Sequence, residues 1–241
     1  MTLQGRGPDG GSAWREEPRR APIRPSVARV TLQPRKLPRQ ARARATFDAI
    51  VDACGQVLAS GPYDALTTNG ISERAGVSIG TLYEYFPNRE SIVAALAANS
   101  CARLVARMEQ AIQETVGMGQ LEGAEHLLIA GVEALGSREN AFKVMLREAP
   151  FVTTLPAMTE ARAALTGLCQ GIRACSQDTL NLPAPEADTW LISQMLFNAM
   201  LEIAFLDASD AERRLLCHQL AIMTCRMALG HDVAEAPPAP H

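Results

Sequence analysis

Residues 66–92, LTTNGISERAGVSIGTLYEYFPNRESI, hold hydroxyls, tyrosines and an arginine at spacings suited to gripping phosphates. The spacing predicts a helix from Thr68 to Ala75. Thr67 or Thr68 supplies the oxygen that accepts from the orphan N–H groups of its first turn. Ile71 and Ala75 share one inward face. Gly76 follows, where the chain must turn sharply and a residue free in φ is least strained. Ser78 caps a second short helix, Ile79 to Tyr85, which Leu82 and Phe86 anchor at i and i+4. Asn88 caps a third, with Glu90 in its first turn where the helix dipole favours an anion. Two helices joined by a glycine-containing turn make a helix-turn-helix, a unit that lays its second helix in the major groove of DNA.

The residues Thr67, Thr68, Ile71, Ala75-Gly76-Val77-Ser78, Gly80-Thr81-Leu82-Tyr83, Tyr85-Phe86 and Asn88-Arg89-Glu90 closely resemble the DNA-binding domain of the TetR family of bacterial transcriptional regulators. The resemblance covers only the N-terminal third of the folded part. It implies an all-α protein, with an N-terminal three-helix helix-turn-helix domain followed by a larger helical ligand-binding and dimerisation domain. It also implies a double-stranded DNA operator, a small-molecule effector, a homodimer and no cofactor. By position in the motif, Ile79 and Thr81 face base edges and Gly80 allows close approach. Thr67, Thr68, Ser78, Tyr83, Tyr85 and Arg89 are the phosphate candidates. An apolar Ile79 suits a thymine methyl and cannot make arginine's bidentate bond to guanine.

The charge is divided along the chain. Residues 1–44 hold ten arginines and Lys36 against Asp9, Glu16 and Glu17, a formal +8, while the remainder carries −11. A basic arm beside an acidic body points to a polyanion at one end. Six prolines from Pro8 to Pro38 forbid a helix there. Residues 1–40 therefore read as a flexible basic arm whose last part leads into the first helix. Arg39, Arg42 and Arg44 are candidates for phosphate or minor-groove contact. The segment Met1 to Gly11 lacks the apolar core of a signal peptide, and no run of about 18 apolar residues suggests a membrane span. A cytoplasmic protein with no membrane partner is expected.

The elements that must hold the motif follow from periodicity. Phe47, Ile50, Val51, Cys54, Val57 and Leu58 make one stripe on a helix from about Arg42 to Ser60, ended by Gly61 and Pro62. Tyr63 and Leu66 cover the small core, and 41–87 reads as the DNA-binding domain. Residues 88–230 read as the body, opening with a linking helix at 88–117. Further helices are predicted at 121–135, 138–149, 156–177, 186–207 and 210–229. Ser209 and Glu212 match a capping box. Residues 231–241 read as a flexible Pro/Ala tail. Gly70, inside a helix, is expected to mark close packing against the first helix.

The helix at 186–207 is apolar nearly all round, apart from Gln194, Asn198 and Glu202, which read as a solvated edge. A helix of that kind needs a second partner. The last two helices would form a four-helix bundle across a two-fold axis, with Trp190, Leu191, Leu216, Leu220, Met223 and Met227 at the interface. Met108, Met145, Met158, Met195, Phe197 and Met200 are candidates for a soft apolar effector pocket. The six cysteines lack zinc spacing and read mostly as small core residues. Neither a metal site nor a catalytic constellation is expected. His126 and His218 lie on helices without evident partners. Two other readings remain: a ligand-independent architectural DNA-binding protein, and a helical enzyme.

Overall fold

Among the described residues, the apolar stripes and caps close into helices alone. The computed structural model describes residues 30–136, 141–176 and 180–229. The helices are α1 (Ala41–Ser60), α2 (Thr68–Ala75), α3 (Ile79–Tyr85), α4 (Arg89–Glu114), α5 (Gln120–Gly136), α6 (Ala141–Glu148), α7 (Pro156–Cys175), α8 (Pro185–Phe205) and α9 (Asp210–Leu229). Tight 3-10 turns lie at Tyr63–Ala65 and Pro150–Thr154. Thr31–His241 is one unit; of a second, Met1–Val30, only Val30 is among the described residues. The tail at 231–241 lies outside the described residues.

The predicted stripe of α1 is the buried one, with Ile50, Val51, Cys54 and Leu58 all within 1 % of full burial. Its stop is made by Pro62 and not by glycine freedom. Gly61 is extended, at φ −170°, a conformation that any residue before a proline prefers. Gly76 is different. It ends α2 in the left-handed region at φ 68°, and its N–H and that of Val77 return to the last turn of α2. The caps are formed as predicted: Gly70 N–H donates to Thr67 Oγ1 at 3.1 Å, Thr81 N–H to Ser78 Oγ at 3.0 Å, and Ser91 N–H to Asn88 Oδ1 at 2.8 Å. The capping box at α9 is formed too, with Ser209 N–H donating to Glu212 at 2.7 Å.

Seven residues of α3 cannot hold a helix alone. Its order comes from Leu82 and Phe86, both fully buried, with Phe86 stacked on Phe47 at 4.7 Å between centroids. Burying two such side chains stabilises the domain by about 3–6 kcal/mol, an upper estimate. Ile92, Val93 and Leu96 at the start of α4 complete this core and continue it into the body. Hydrophobic burial therefore runs unbroken across the predicted boundary at residue 87. Further along, α4 packs on α5 and α7, and α8 and α9 pack on α5. By length and composition α4 is apolar enough to cross a membrane, but half of its apolar stretch is buried inside this fold.

Candidate nucleic-acid interface and apolar cavity

The turn at Gly76 presents the outer face of α3. Ile79 is 38 % and Tyr83 39 % exposed; Ser78 and Gly80 are exposed and Thr81 half-buried. Thr67 and Ser78 accept backbone N–H groups as caps, which leaves the Thr67 hydroxyl proton available to an acceptor outside. Thr68 Oγ1 and Tyr83 OH are 3.1 Å apart and share one hydrogen bond, so the pair keeps one O–H to donate elsewhere. That bond also ties the N-terminus of α2 to α3. Ser78 Oγ and Thr81 Oγ1 form a similar pair at 2.9 Å. The result is a shallow surface of outward hydroxyls around one aliphatic side chain.

Three expectations change here. Tyr85 is not on that surface: it is 8 % exposed, and its ring meets Phe47 edge-on at 6.2 Å. Its position three residues after Leu82 and one before Phe86 places it on the buried face. Arg89 is committed within the protein. Its Nη1 donates to the Leu66 carbonyl at 3.0 Å, its Nε to Glu90 at 3.0 Å, and the guanidinium lies 4.8 Å from the Tyr63 ring centroid. The bond to Glu90 raises its pKa still further, so the cation is permanent. Gly70 does not meet α1: a Cβ there would come within 3.3 Å of the capping Thr67 Oγ1.

The expected flexible arm is also partly docked. Arg35 N–H donates to Tyr85 O at 2.7 Å, Arg35 Nη1 to Tyr83 O at 3.2 Å, and Asn88 Nδ2 to Thr31 O at 3.1 Å. Residues 31–35 thus strap the C-terminal end of α3, where orphan carbonyls favour a cation. Lys36, Arg39, Arg42 and Arg44 follow, all exposed. They offset the acidic side chains Glu73 and Glu84, also exposed on α2 and α3. Residues 1–29 of the predicted arm lie outside the described residues.

In the body, α4, α5, α7, α8 and α9 line an apolar cavity of about 350 Å³ that is partly open to solvent. Of the predicted pocket residues, Met108, Phe197 and Met200 line it. Met145 and Met158 do not; they are core residues at 0 % and 3 % exposure. Met195 faces outward at 50 % exposure. The lining that sequence reasoning missed includes Ile112, Leu128, Leu165, Leu168, Thr189 and Arg173. Gly131, behind the wall, makes room for Met200, since a Cβ there would collide with the Met200 sulfur. A second hollow, of about 420 Å³, is lined partly by charged groups, among them Glu133, Lys143, Asp210 and Arg214.

The predicted interface residues stand outward. Trp190, Leu191, Leu216, Met223 and Met227 are 39–57 % exposed, and Leu220 is half-buried. Helix α9 buries the opposite stripe, Cys217, Ala221, Cys225 and Leu229, so both of its faces are apolar. Asn198 and Glu202 are exposed as expected for an edge, whereas Gln194 is half-buried beside Arg162 and Thr166.

His126 and His218 do have partners. His126 Nε2 lies 2.7 Å from Glu114, joining α5 to α4, and His218 Nδ1 lies 2.9 Å from Glu125, joining α9 to α5. Burial pushes the Cys54 thiol up to about 12 and that of Cys101 to about 11; Cys169, Cys217 and Cys225 are raised by the same cause. Cys175 is exposed at the end of α7, not buried. Among the described residues no cluster of His, Cys, Asp and Glu could hold a metal ion.

A left-handed glycine turn between two short capped helices, with a polar outward face on the second, defines a helix-turn-helix protein. The family model for bacterial regulatory proteins of the tetR family matches residues 50–96. Over those residues the chain is similar to the DNA-binding domain of the TetR family of bacterial regulators. It is 35 % identical over 71 residues to the fatty acid metabolism regulator protein of Bacillus subtilis, a match covering 30 % of this chain and 37 % of that protein. It is 32 % identical over 62 residues to the transcriptional repressor KstR of Mycolicibacterium smegmatis, covering 26 % and 30 %. The chain thus spans about a third of the length of these relatives. In fold it is similar to the fatty acid degradation regulator FadR of Bacillus halodurans, with TM-score 0.60, 21 % identity, and 77 % and 96 % of the two chains covered. It is similarly like FadR of Bacillus subtilis, solved in complex with stearoyl-CoA, with TM-score 0.61, 20 % identity, and 75 % and 98 % covered.

Proposed function

We propose that this chain represses transcription in the bacterial cytoplasm by binding a palindromic DNA operator as a homodimer, and that a small, largely apolar effector modulates that binding. The observation that carries the reading is the outward face of α3, held by the Gly76 turn and the Thr68–Tyr83 bond. Ile79 and Thr81 read base edges with Gly80 allowing approach, while Thr67, Thr68, Ser78 and Tyr83 grip phosphates and set the register. Arg42 and Arg44 supply charge beside the site. Tyr85 and Arg89 serve the fold instead.

The outward apolar stripe of α9, with Trp190 and Leu191 on α8, supports dimerisation through these helices. Leu216, Leu220, Met223 and Met227 recur at i, i+4, i+7 and i+11, a seam rather than scattered exposure. Two copies related by a two-fold axis present two α3 helices to one side of the duplex, with half-sites about 34–36 Å apart. Sedimentation of the wild-type chain is expected to give a dimer, and Met223→Glu a monomer with weakened operator binding. The cavity supports the effector, which acts by preferring one spacing of the two reading helices over another. The relatives' roles, a fatty acid metabolism regulator and a repressor, point the same way.

The test is selection of bound fragments from genomic DNA, followed by footprinting. A protected palindrome with half-sites one helical turn apart supports the reading. Equal affinity for all duplexes, unaltered by Ile79→Ala and Thr81→Ala, would favour an architectural DNA-binding protein instead.

A further inference from the structure

The cavity wall holds one charge. Of its described lining residues only Arg173 is ionised at neutral pH; the rest are aliphatic, aromatic, sulfur-bearing or neutral polar. Arginine cannot shed its proton in a protein, so the charge is permanent. Its Nε is closed off from solvent and has no hydrogen-bond partner among the described residues. Buried polar groups are almost always satisfied, and an orphaned charged donor in an apolar wall is a group awaiting an acceptor. Arg173 lies in the last turn of α7, where the helix dipole favours a cation. That explains a basic residue at this position; it does not explain an Nε–H buried beside a cavity with nothing to bond.

None of the hydroxyls in the wall accepts from it. Thr189 Oγ1 donates to the Pro185 carbonyl, Ser193 Oγ to that of Trp190 at 2.7 Å, and Thr224 Oγ1 to that of Leu220 at 2.7 Å. These bonds hold each hydroxyl to its own helix. Thr189, Ser193 and Thr224 are thus paired within the protein, whereas the Arg173 Nε–H is not.

We infer that the effector is an anionic amphiphile: an alkyl chain of medium length lying among Met108, Leu128, Leu165, Phe197 and Met200, with its carboxylate or phosphate on Arg173. This rests on the cavity being the effector site. A guanidinium matches either head group, because its fork of N–H donors fits two oxygens at once. The cavity, about 350 Å³ and partly open to solvent, has room for a chain of medium length.

Titration calorimetry on the full chain tests this with dodecanoate, dodecyl phosphate and 1-dodecanol, each below its micellar concentration. Wild-type protein is expected to bind at least one of the two anions roughly 10- to 100-fold more tightly than the alcohol, the factor a charge-assisted hydrogen bond supplies. Arg173→Met should remove that preference while leaving the alcohol's affinity unchanged. Leu168→Trp, which fills the cavity, should abolish binding of all three. Should the alcohol bind as tightly as both anions, or should Arg173→Met keep the preference, the anionic end is wrong, although the cavity remains the effector site because Leu168→Trp still excludes the chain. Should none of the three bind, both the inference and the effector cavity fall.

Discussion

Replacing Arg89 separates two roles that look alike from the sequence: a phosphate contact and a clamp inside the fold. The structure gives it three internal partners: the Leu66 carbonyl, Glu90 and the Tyr63 ring. A hydrogen bond from a charged donor is worth about 1.5–3 kcal/mol, and the side chain's partial exposure, 33 %, argues for the lower end. The ring contact adds about 0.5–1 kcal/mol, and the half-exposed pair with Glu90 close to nothing. Arg89→Met, which keeps the apolar stem, should therefore cost about 2 kcal/mol and lower the melting temperature by roughly 4–8 °C. Operator affinity should fall only as far as the domain is loosened. Its dependence on salt should stay the same, because a phosphate contact contributes about 0.9 to the slope of log K against log salt, and a clamp contributes nothing. The assays are differential scanning calorimetry and fluorescence anisotropy of a labelled operator from 50 to 200 mM salt. An unchanged melting temperature with a slope shallower by about 0.9 would refute this reasoning and return Arg89 to the DNA surface.

Tyr83→Phe removes the hydroxyl shared with Thr68; it should weaken binding to every duplex alike by about 0.5–1.5 kcal/mol, and selection from a random library should return the same preferred bases. Glu114 has its pKa lowered by hydrogen bonds from His126 first, then Arg107 and Gln110. A depressed acid contributes stability above its ordinary value of 4.5, and that contribution is lost as pH falls through the lower folded value. The melting temperatures of wild type and Glu114→Gln should therefore differ at neutral pH and converge in acid; a gap that widened in acid would contradict the pairing. Glu148→Ala should remove the acceptor of the Tyr63 N–H, 2.8 Å away, at a cost of about 1–2 kcal/mol. Effector addition to that variant should alter operator affinity less than it does in the wild type, as read by anisotropy.

Much of the scaffold was legible because it is local. The period of α1, the caps at Thr67, Ser78 and Asn88, and the turn at Gly76 each depend on residues within a few positions of one another. Tyr85 was misread although the signal was present: Leu82, Tyr85 and Phe86 share one face at i, i+3 and i+4, while Ile79 and Tyr83 share another. Arg89 could not be placed from the sequence, since its acceptor is a backbone carbonyl 23 residues away. The methionines divided unevenly for the same reason. Side-chain type says that a methionine can fill an irregular space, and only tertiary packing says whether the space is core, cavity or surface. The strap at 31–35 was hidden by its prolines, which exclude a helix but do not exclude docking through Thr31 and Arg35.

The arrangement of these misread residues bears on how a cavity could speak to a reading surface. Helix α4 is 26 residues long, about 39 Å of rod. Met108 and Ile112 near its C-terminal end line the cavity; Asn88 and Arg89 at its start hold Thr31 and Leu66. The segment Tyr63–Leu66 is gripped twice, by Arg89 from α4 and by Glu148 from the end of α6. Leu66 immediately precedes Thr67, the cap of α2, and α2 is tied to α3 through Thr68 and Tyr83. A rigid α4 that pivots about its cavity end therefore moves Leu66 with it, while Glu148 resists from the body. Under the proposed function, a displacement at the cavity would reach α3 through these short, directional bonds and a stiff helix as well as through the packed core that surrounds them. On the proposed reading, the outward face of α3 would set which duplex is bound, and the clamp would set whether the two such faces of a dimer could reach it together.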